Sequence, residues 1–433
     1  MTINRNLRIL ASVIAVAIYA NVVTFTSKGA GYTESYPAVI CGPTTSGHAS
    51  YVSLTSSTVL SRKTGTTKMK FKQARSSRII SSSEALIFDA GERTPISWHV
   101  LPGTWAGGSL CTSPATSQWF VGGSADVTSK GKLNLVNSGL GKALVGVTVV
   151  TENGTQPEQV FVVRPNSYSS ITLASLTPGS RLTALHVVPQ TGRVNAFLVD
   201  ERGRGLRALG GDTVNSVESA AKTVHIPAIP HQIIGKKALS HTVRILIPGE
   251  VGSNISAVVR SVDGTFSPAG IDGRFIPAGK VIELPLNVQL PSGKFSLEIN
   301  SERPVVASVM SQTFTSGKSD FVWSTSVTPL EKSSFSVTGL APLLVFSGDQ
   351  ISVEIEVAYS KDKIRKATIQ GSAIATYAVG EKARTVTIIK SSEGVYAAAL
   401  ISSKSGYGFV PMVNGSRLTR SSLPQSNIRV LIP

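Results

Sequence analysis

The chain has 433 residues, 15% of them charged and 41% apolar, and its 42 Lys and Arg against 25 Asp and Glu give a formal charge of +17. That apolar content excludes wholesale disorder and suffices for three or four domains. The positive excess would suit nucleic acid, anionic lipid or an acidic polymer. It is scattered, however, and concentrates only over residues 62–78 and 193–207, with no zinc spacing, basic helix or aromatic-and-basic RNA signature. No nucleic-acid partner is expected.

Residues 1–8 form a short cytoplasmic N-terminus carrying Arg5 and Arg8, and an uncharged apolar run extends from Ile9 to about Phe25. As a helix, roughly 17–20 such residues nearly cross a hydrocarbon core of about 30 Å. The arginines stay on the cytoplasmic side and send the rest outward. The segment 9–26 is read as a transmembrane anchor, giving a single-pass cell-membrane protein with an extracytoplasmic C-terminal region. The alternative is a cleaved signal and a secreted protein. Ile18, two positions before the small Ala20, makes a poor cleavage site, and polar Asn21 weakens a clean span. A buried core helix fits poorly at the terminus of a β-rich chain.

Both cysteines, Cys41 and Cys111, follow the apolar run. Export and an even count favour a disulfide over two buried thiols. Closing a loop of about 70 residues contributes roughly 4 kcal/mol in the chain-entropy model.

Beyond the N-terminus the patterning is that of strands. Ile351-Ser-Val353-Glu-Ile355-Glu-Val357 alternates with period two. Three stretches repeat one design, an alternating strand ending at a glycine: 133–139, 243–249 and 342–348. Each leads to a second strand, at Val145–Val149, Ile255–Val259 and Val353–Val357, and the first two copies then reach Asn153-Gly154 and Asp263-Gly264, which favour tight hairpins. Late strands at Val194–Ala196, Val305–Ala307 and Val395–Ala397 close the copies. A repeat of about 90–110 residues is the size of one antiparallel sandwich domain. The expected fold is all-β, with tandem Ig-like β-sandwich units at 119–224, 225–318 and 319–433. Residues 27–118 form an irregular Cys-containing β region, with strands near 50–60, 66–73 and 84–89. It is read as a degenerate first unit tied to the second by the disulfide. A β-propeller with paired four-stranded blades is the alternative.

Cys41-Gly-Pro43, Cys111-Thr-Ser-Pro114, Gln118-Trp119-Phe120-Val-Gly122-Gly123, the Leu-x-Leu-x-Asn strand at 133–137 and Gly192-Arg193-Val194 form a pattern that resembles the actinobacterial proteins of domain-of-unknown-function family 5719. The resemblance covers about 36–433. It implies an exported or membrane-associated protein of unknown activity and carries no catalytic residues. The chain departs from the pattern at Ser138, where a proline often stands, and at Phe346, where the last unit has lost the asparagine.

Candidate chemistry is sparse. The six histidines, His48, His99, His186, His225, His231 and His241, show no helical metal spacing, although His231 and His241 could face each other across a hairpin. No Gly-x-Ser-x-Gly elbow occurs, and Gly107-Gly-Ser109 and Gly122-Gly-Ser124 read as turns. Glu354 and Glu356 share a strand face, the wet one. The run from Arg202 to Gly211 lacks the Gly-Lys-Ser/Thr ending of a phosphate loop. With Arg193, however, Arg202, Arg204 and Arg207 make the best anion-binding candidate, since guanidinium pairs well with phosphate or carboxylate. Trp119 and Trp323 occupy seemingly equivalent unit openings and read as packing, whereas Trp98 and Trp105 could be exposed. The expectation is a non-catalytic scaffold or interaction protein of the cell envelope, with no enzyme activity, cofactor or metal. Its partners are the membrane through the N-terminal helix and, beyond it, a cell-wall polymer or another envelope protein. The alternatives are a cell-wall carbohydrate or anionic-polymer binding module and, behind it, a cryptic hydrolase.

Overall fold

The computed structural model describes residues 39–415, apart from 46, 57–58, 67–69, 75, 81–82, 90–92 and 361–362. The expected segments 1–8 and 9–26 lie outside the described residues. Among the described residues no helix is long and apolar enough to cross a membrane. Of the described residues 63% are in strands and 1% in helix, so the all-β expectation holds. Alternation drives this: strand Ser253–Ser261 buries Ile255, Ala257 and Val259 and exposes Asn254 and Ser256.

One eight-strand pattern recurs. In the stretch 118–214 the strands are Gln118–Val121, Lys132–Asn137, Ala143–Thr151, Gln159–Val163, Ser167–Thr172, Thr183–Thr191, Val194–Arg204 and Arg207–Val214. The first, sixth, third and fourth make one antiparallel sheet, and the fifth, second, seventh and eighth make another. Val145, Val147 and Val187 of one sheet share a core with Leu133, Leu135 and Leu198 of the other. The next copy follows the same order from Ala221–His231, with Gly293–Thr315 long enough to serve as sixth strand in one sheet and seventh in the other, and Lys318–Thr325 as the eighth. The last copy runs from Ser333–Ser336 to Gly406–Pro411, its strands Leu343–Ala358 and Ile364–Ala378 each crossing both sheets at an irregularity between Gly348 and Ile351.

Residues 39–110 are a further complete copy. Its strands Val39–Cys41, Leu86–Asp89, Leu60–Lys63 and Lys72–Gln73 pair in the same order, as do Arg78–Ile80, Ala49–Ser53, Ile96–Leu101 and Trp105–Leu110. The region read as irregular is therefore regular but built of short strands, which is why alternation there is hard to see. The connections also depart from the immunoglobulin order. There the first two strands are neighbours in one sheet, whereas here they lie in different sheets.

Cys41 and Cys111 are disulfide-bonded, with Cα atoms 4.5 Å apart. The bond is internal to the first copy, linking its first strand to the end of its eighth, and does not tie that copy to the second. The boundary expected at 318/319 falls at the start of a strand that pairs with the one before it, residues 308–315.

The eighth strands, Trp105–Leu110, Arg207–Val214, Lys318–Thr325 and Gly406–Pro411, pack against one another about a common axis. Arg93-Thr94 pairs in parallel with Ser334-Phe335, and Ser113 N–H donates to Gly415 O, joining the last copy to the first. Glycine allows strands to meet this closely. A Cβ on Gly408 would lie 2.3 Å from the Trp98 ring and 2.5 Å from Gly108 N, and one on Gly211 2.7 Å from the Trp105 ring. Gly408→Ala should therefore lower the melting temperature by several degrees. Gly141→Ala, where a Cβ meets nothing within 4 Å, should leave it unchanged. Thermal unfolding of the two variants against the parent checks this.

Candidate functional site

Charge is buried where the second and third copies meet. Asp200, Asp212 and Arg244 are almost fully buried and Asp320 nearly so. Asp212 stands on an eighth strand, and its carboxylate accepts from Trp323 N–H at 2.6 Å and Thr213 N–H at 2.7 Å. Asp320, on the neighbouring eighth strand, accepts from Gly211 N–H at 3.0 Å. Asp200 accepts from Arg202 at 2.9 Å and from the Trp323 indole N–H at 3.0 Å. Arg244 donates to Gly123 O at 2.5 Å and to Glu283 at 2.8 Å, and lies over the Trp323 ring. Burial pushes the Asp320 carboxyl up to about 7, and burial, with Asp320 and Asp200 nearby, pushes Asp212 well above the usual carboxylate range. Shifted acids can mark catalysis when they face a cleft. These face other strands, and the contacts of Asp212 and Asp200 with Trp323, of Asp320 with Gly211 and of Arg244 with Gly123 join the second copy to the third.

The arginines expected to bind an anion are not one cluster. Arg193 precedes strand Val194–Arg204 and Arg204 ends it. Eleven residues of strand put them about 35 Å apart. Arg202 is not free either, because it pairs with Asp200 and lies over the Phe321 ring. Arg204 and Arg207 are exposed at a hairpin tip with Leu206 between them.

The histidines are structural in their surroundings. His231 Nδ1 and His241 Nε2 are 2.8 Å apart, so the pair does meet. His231 Nε2 donates to Leu290 O and His241 Nδ1 bonds Ser311 Oγ, and burial lowers the pKa of both rings, so that in the neutral state the pair relays one proton per ring. His225 stacks on Tyr396, His186 on Trp119, and His48 lies edge-on to Trp105 and 3.4 Å from Glu201. Among the described residues no group of three or more His, Cys, Asp or Glu could hold a metal. Glu354 is exposed as expected, and Glu356 pairs with Lys366 at 3.1 Å.

Trp98 and Trp105, whose exposure the sequence left open, are buried at 4% and 0%. Trp98 joins the core of the last copy. Trp119 and Trp323 do pack, but not equivalently: Trp119 is on a first strand, and Trp323 is on an eighth strand, where it enters the core of the preceding copy. A cavity of about 50 Å³ lies at the seam of the first and second copies, between Pro43, His99, Gln118, Asn134 and Asn215. It has room for a few waters and not for a sugar ring.

A family model described as a family of unknown function, DUF5719, matches residues 95–380. The chain belongs to this family. None of the curated proteins matches it. In this DUF5719 chain the matched region opens on strand Ile96–Leu101, the partner of the first eighth strand. It thus holds the Asp200, Asp212, Arg244 and Asp320 network entire. Sequence reasoning missed that network because its members are far apart along the chain. Isolated acids inside apolar strands, such as Asp200 after Phe197-Leu-Val199, were the available signal.

Burial holds His99 and His225 down to about 4 and His241 to about 3, with His48 adding to the effect on His99 and His231 to that on His241. The unfolded chain takes up protons near 6.5 and the folded one does not. Stability is therefore complete above that pH and falls as pH drops toward the folded values. Asp320 acts in the opposite sense, favouring the fold at low pH and losing its contribution as pH rises through about 7. Replacing His241 by Asn should flatten the acid side by up to ~1.4 kcal/mol per pH unit, read from urea midpoints at pH ~7.5 and ~5.

Proposed function

We propose that this chain is a membrane-anchored extracytoplasmic protein of the cell envelope with a non-catalytic scaffold or interaction role. The reading takes the four sheet pairs as sandwich modules set about one axis. Their final strands are innermost, as in a propeller, and the N-terminal apolar segment is the anchor. What carries the reading is the use of polarity. Asp212 and Asp320, the acids whose pKa is raised, and the most buried arginine are engaged between copies, so the body's interior serves cohesion and its outer strands and turns are free to meet partners. The disulfide of the first copy supports an oxidising compartment.

A second reading, binding of an anionic wall polymer, is favoured by exposed Arg204 and Arg207. It does not extend to Arg193 or Arg202.

Because both native cysteines are bonded, a Gly141→Cys variant offers a single exposed thiol. On intact cells a membrane-impermeant maleimide should label it as fully as after lysis. Labelling only after lysis would place the body inside the cell and remove the proposal. N-terminal sequencing of the membrane and soluble fractions separates anchor from cleaved signal.

A further inference from the structure

The seventh and eighth strands of each copy are joined by a hairpin, and all four eighth strands run the same way along the axis. Trp105 lies level with Gly211, Gly107 with Asp212 and Thr213, Ala106 with Gly406, and Gly210 with Asp320. The four hairpin tips, near Gly103, Leu206, Gly317 and Ser405, therefore gather at one pole. Gly103 N–H donates to Ser405 Oγ at 3.2 Å, and Lys318 Nζ donates to Gly103 O. A fifth hairpin, residues 233–238, is held there at its base, where Gln232 bonds Phe314 N–H at 2.7 Å and the Tyr407 hydroxyl at 3.2 Å.

This pole has a distinct chemistry. The five tips contain no carboxylate, and they present Arg204, Arg207, Lys236, Lys237 and Lys404 as exposed cations. They also present exposed aliphatic side chains: Ile233 at 39%, Ile234 at 40% and Leu206 at 105%. Leu206 is the most exposed of them. Since Gly211 is level with Trp105, its hairpin reaches four residues further than the first, about 13 Å.

We propose that this pole is a docking face for an anionic lipid bilayer. The charge complements phosphate headgroups, with Arg204 and Arg207 as forked donors on either side of a leucine that enters the acyl boundary. The aliphatic tips decide between lipid and a soluble polyanion. Guanidinium and ammonium alone would serve the polymer, which gives a fully exposed leucine and an isoleucine pair nothing apolar to enter. The inference goes beyond the envelope reading and does not depend on it, because binding to vesicles does not require knowledge of the compartment.

The test uses the intact chain with Leu206→Cys as a unique thiol carrying a polarity-sensitive dye. The comparison site is Ser352→Cys, which is exposed and bonded through its backbone to Ser392, in the turn before strand Tyr396–Ser403, and so at the far end. On vesicles with about 30% phosphatidylglycerol the dye at 206 should shift to the blue, while the dye at 352 stays water-like and neutral phosphatidylcholine gives no shift at 206. Adding R204E and R207E should weaken the response at least about tenfold. The proposal is overturned by no shift on anionic vesicles, by equal shifts at both sites, or by equal shifts on neutral and anionic vesicles. Tighter binding to soluble polyglutamate than to anionic vesicles would also overturn it and assign the face to a polymer.

Discussion

Four antiparallel sheet pairs can share one axis only if their innermost strands come closer than ordinary side chains permit. Glycine answers this constraint. Gly107 and Gly108 on the first eighth strand, Gly210 and Gly211 on the second, and Gly406 and Gly408 on the last each stand where a Cβ would meet a neighbouring copy or ring within 2.7 Å. The bulk these positions give up is supplied by Trp98, beside Gly108 and Gly408, and Trp105, beside Gly211. Chain closure, the seam with the fourth copy and the gathering of hairpins at one pole all follow from that approach.

The buried charges are a second consequence. Backbone N–H groups at the axis that lack a sheet partner still need acceptors. Asp212 and Asp320 supply them to Thr213, Trp323 and Gly211. Burial raises both carboxyls, and Asp320 and Asp200 add to the effect on Asp212, so their shifts follow from architecture. Arg244 then ties Gly123 of one copy to Glu283 of the next. Removing one member would leave a buried partner unpaired, which is why such networks are costly to break even when they add little net stability.

Much of the fold was legible in the sequence. Alternation at 133–137, 143–151 and 253–261, the first two glycine-ended strands and the Asn-Gly and Asp-Gly turns became strands and hairpins where expected, whereas the third strand runs on through Gly348. The first copy was less legible, because strands of two to six residues hold too few periods to show a face. The boundaries between copies were obscured by strands such as Gly293–Thr315 and Leu343–Ala358, which pass from one sheet to the other without a turn. Gly-Gly pairs at 107–108 and 210–211 read as turns or loops. In the structure they lie inside strands at the axis, a role set by residues a hundred or more positions away. The separation of Arg193 from Arg204 was likewise hidden, since nearness in sequence along a strand means distance in space.

Residues 39–412 form one cooperative body held at its axis. Hydrogen exchange measured across a urea series tests this most directly. Peptides covering Trp105–Leu110, Arg207–Val214, Lys318–Thr325 and Gly406–Pro411 should be the slowest to exchange and should lose protection together, at one denaturant concentration. Loss of protection in separate steps, copy by copy, would show independent beads on a string and contradict the shared axis.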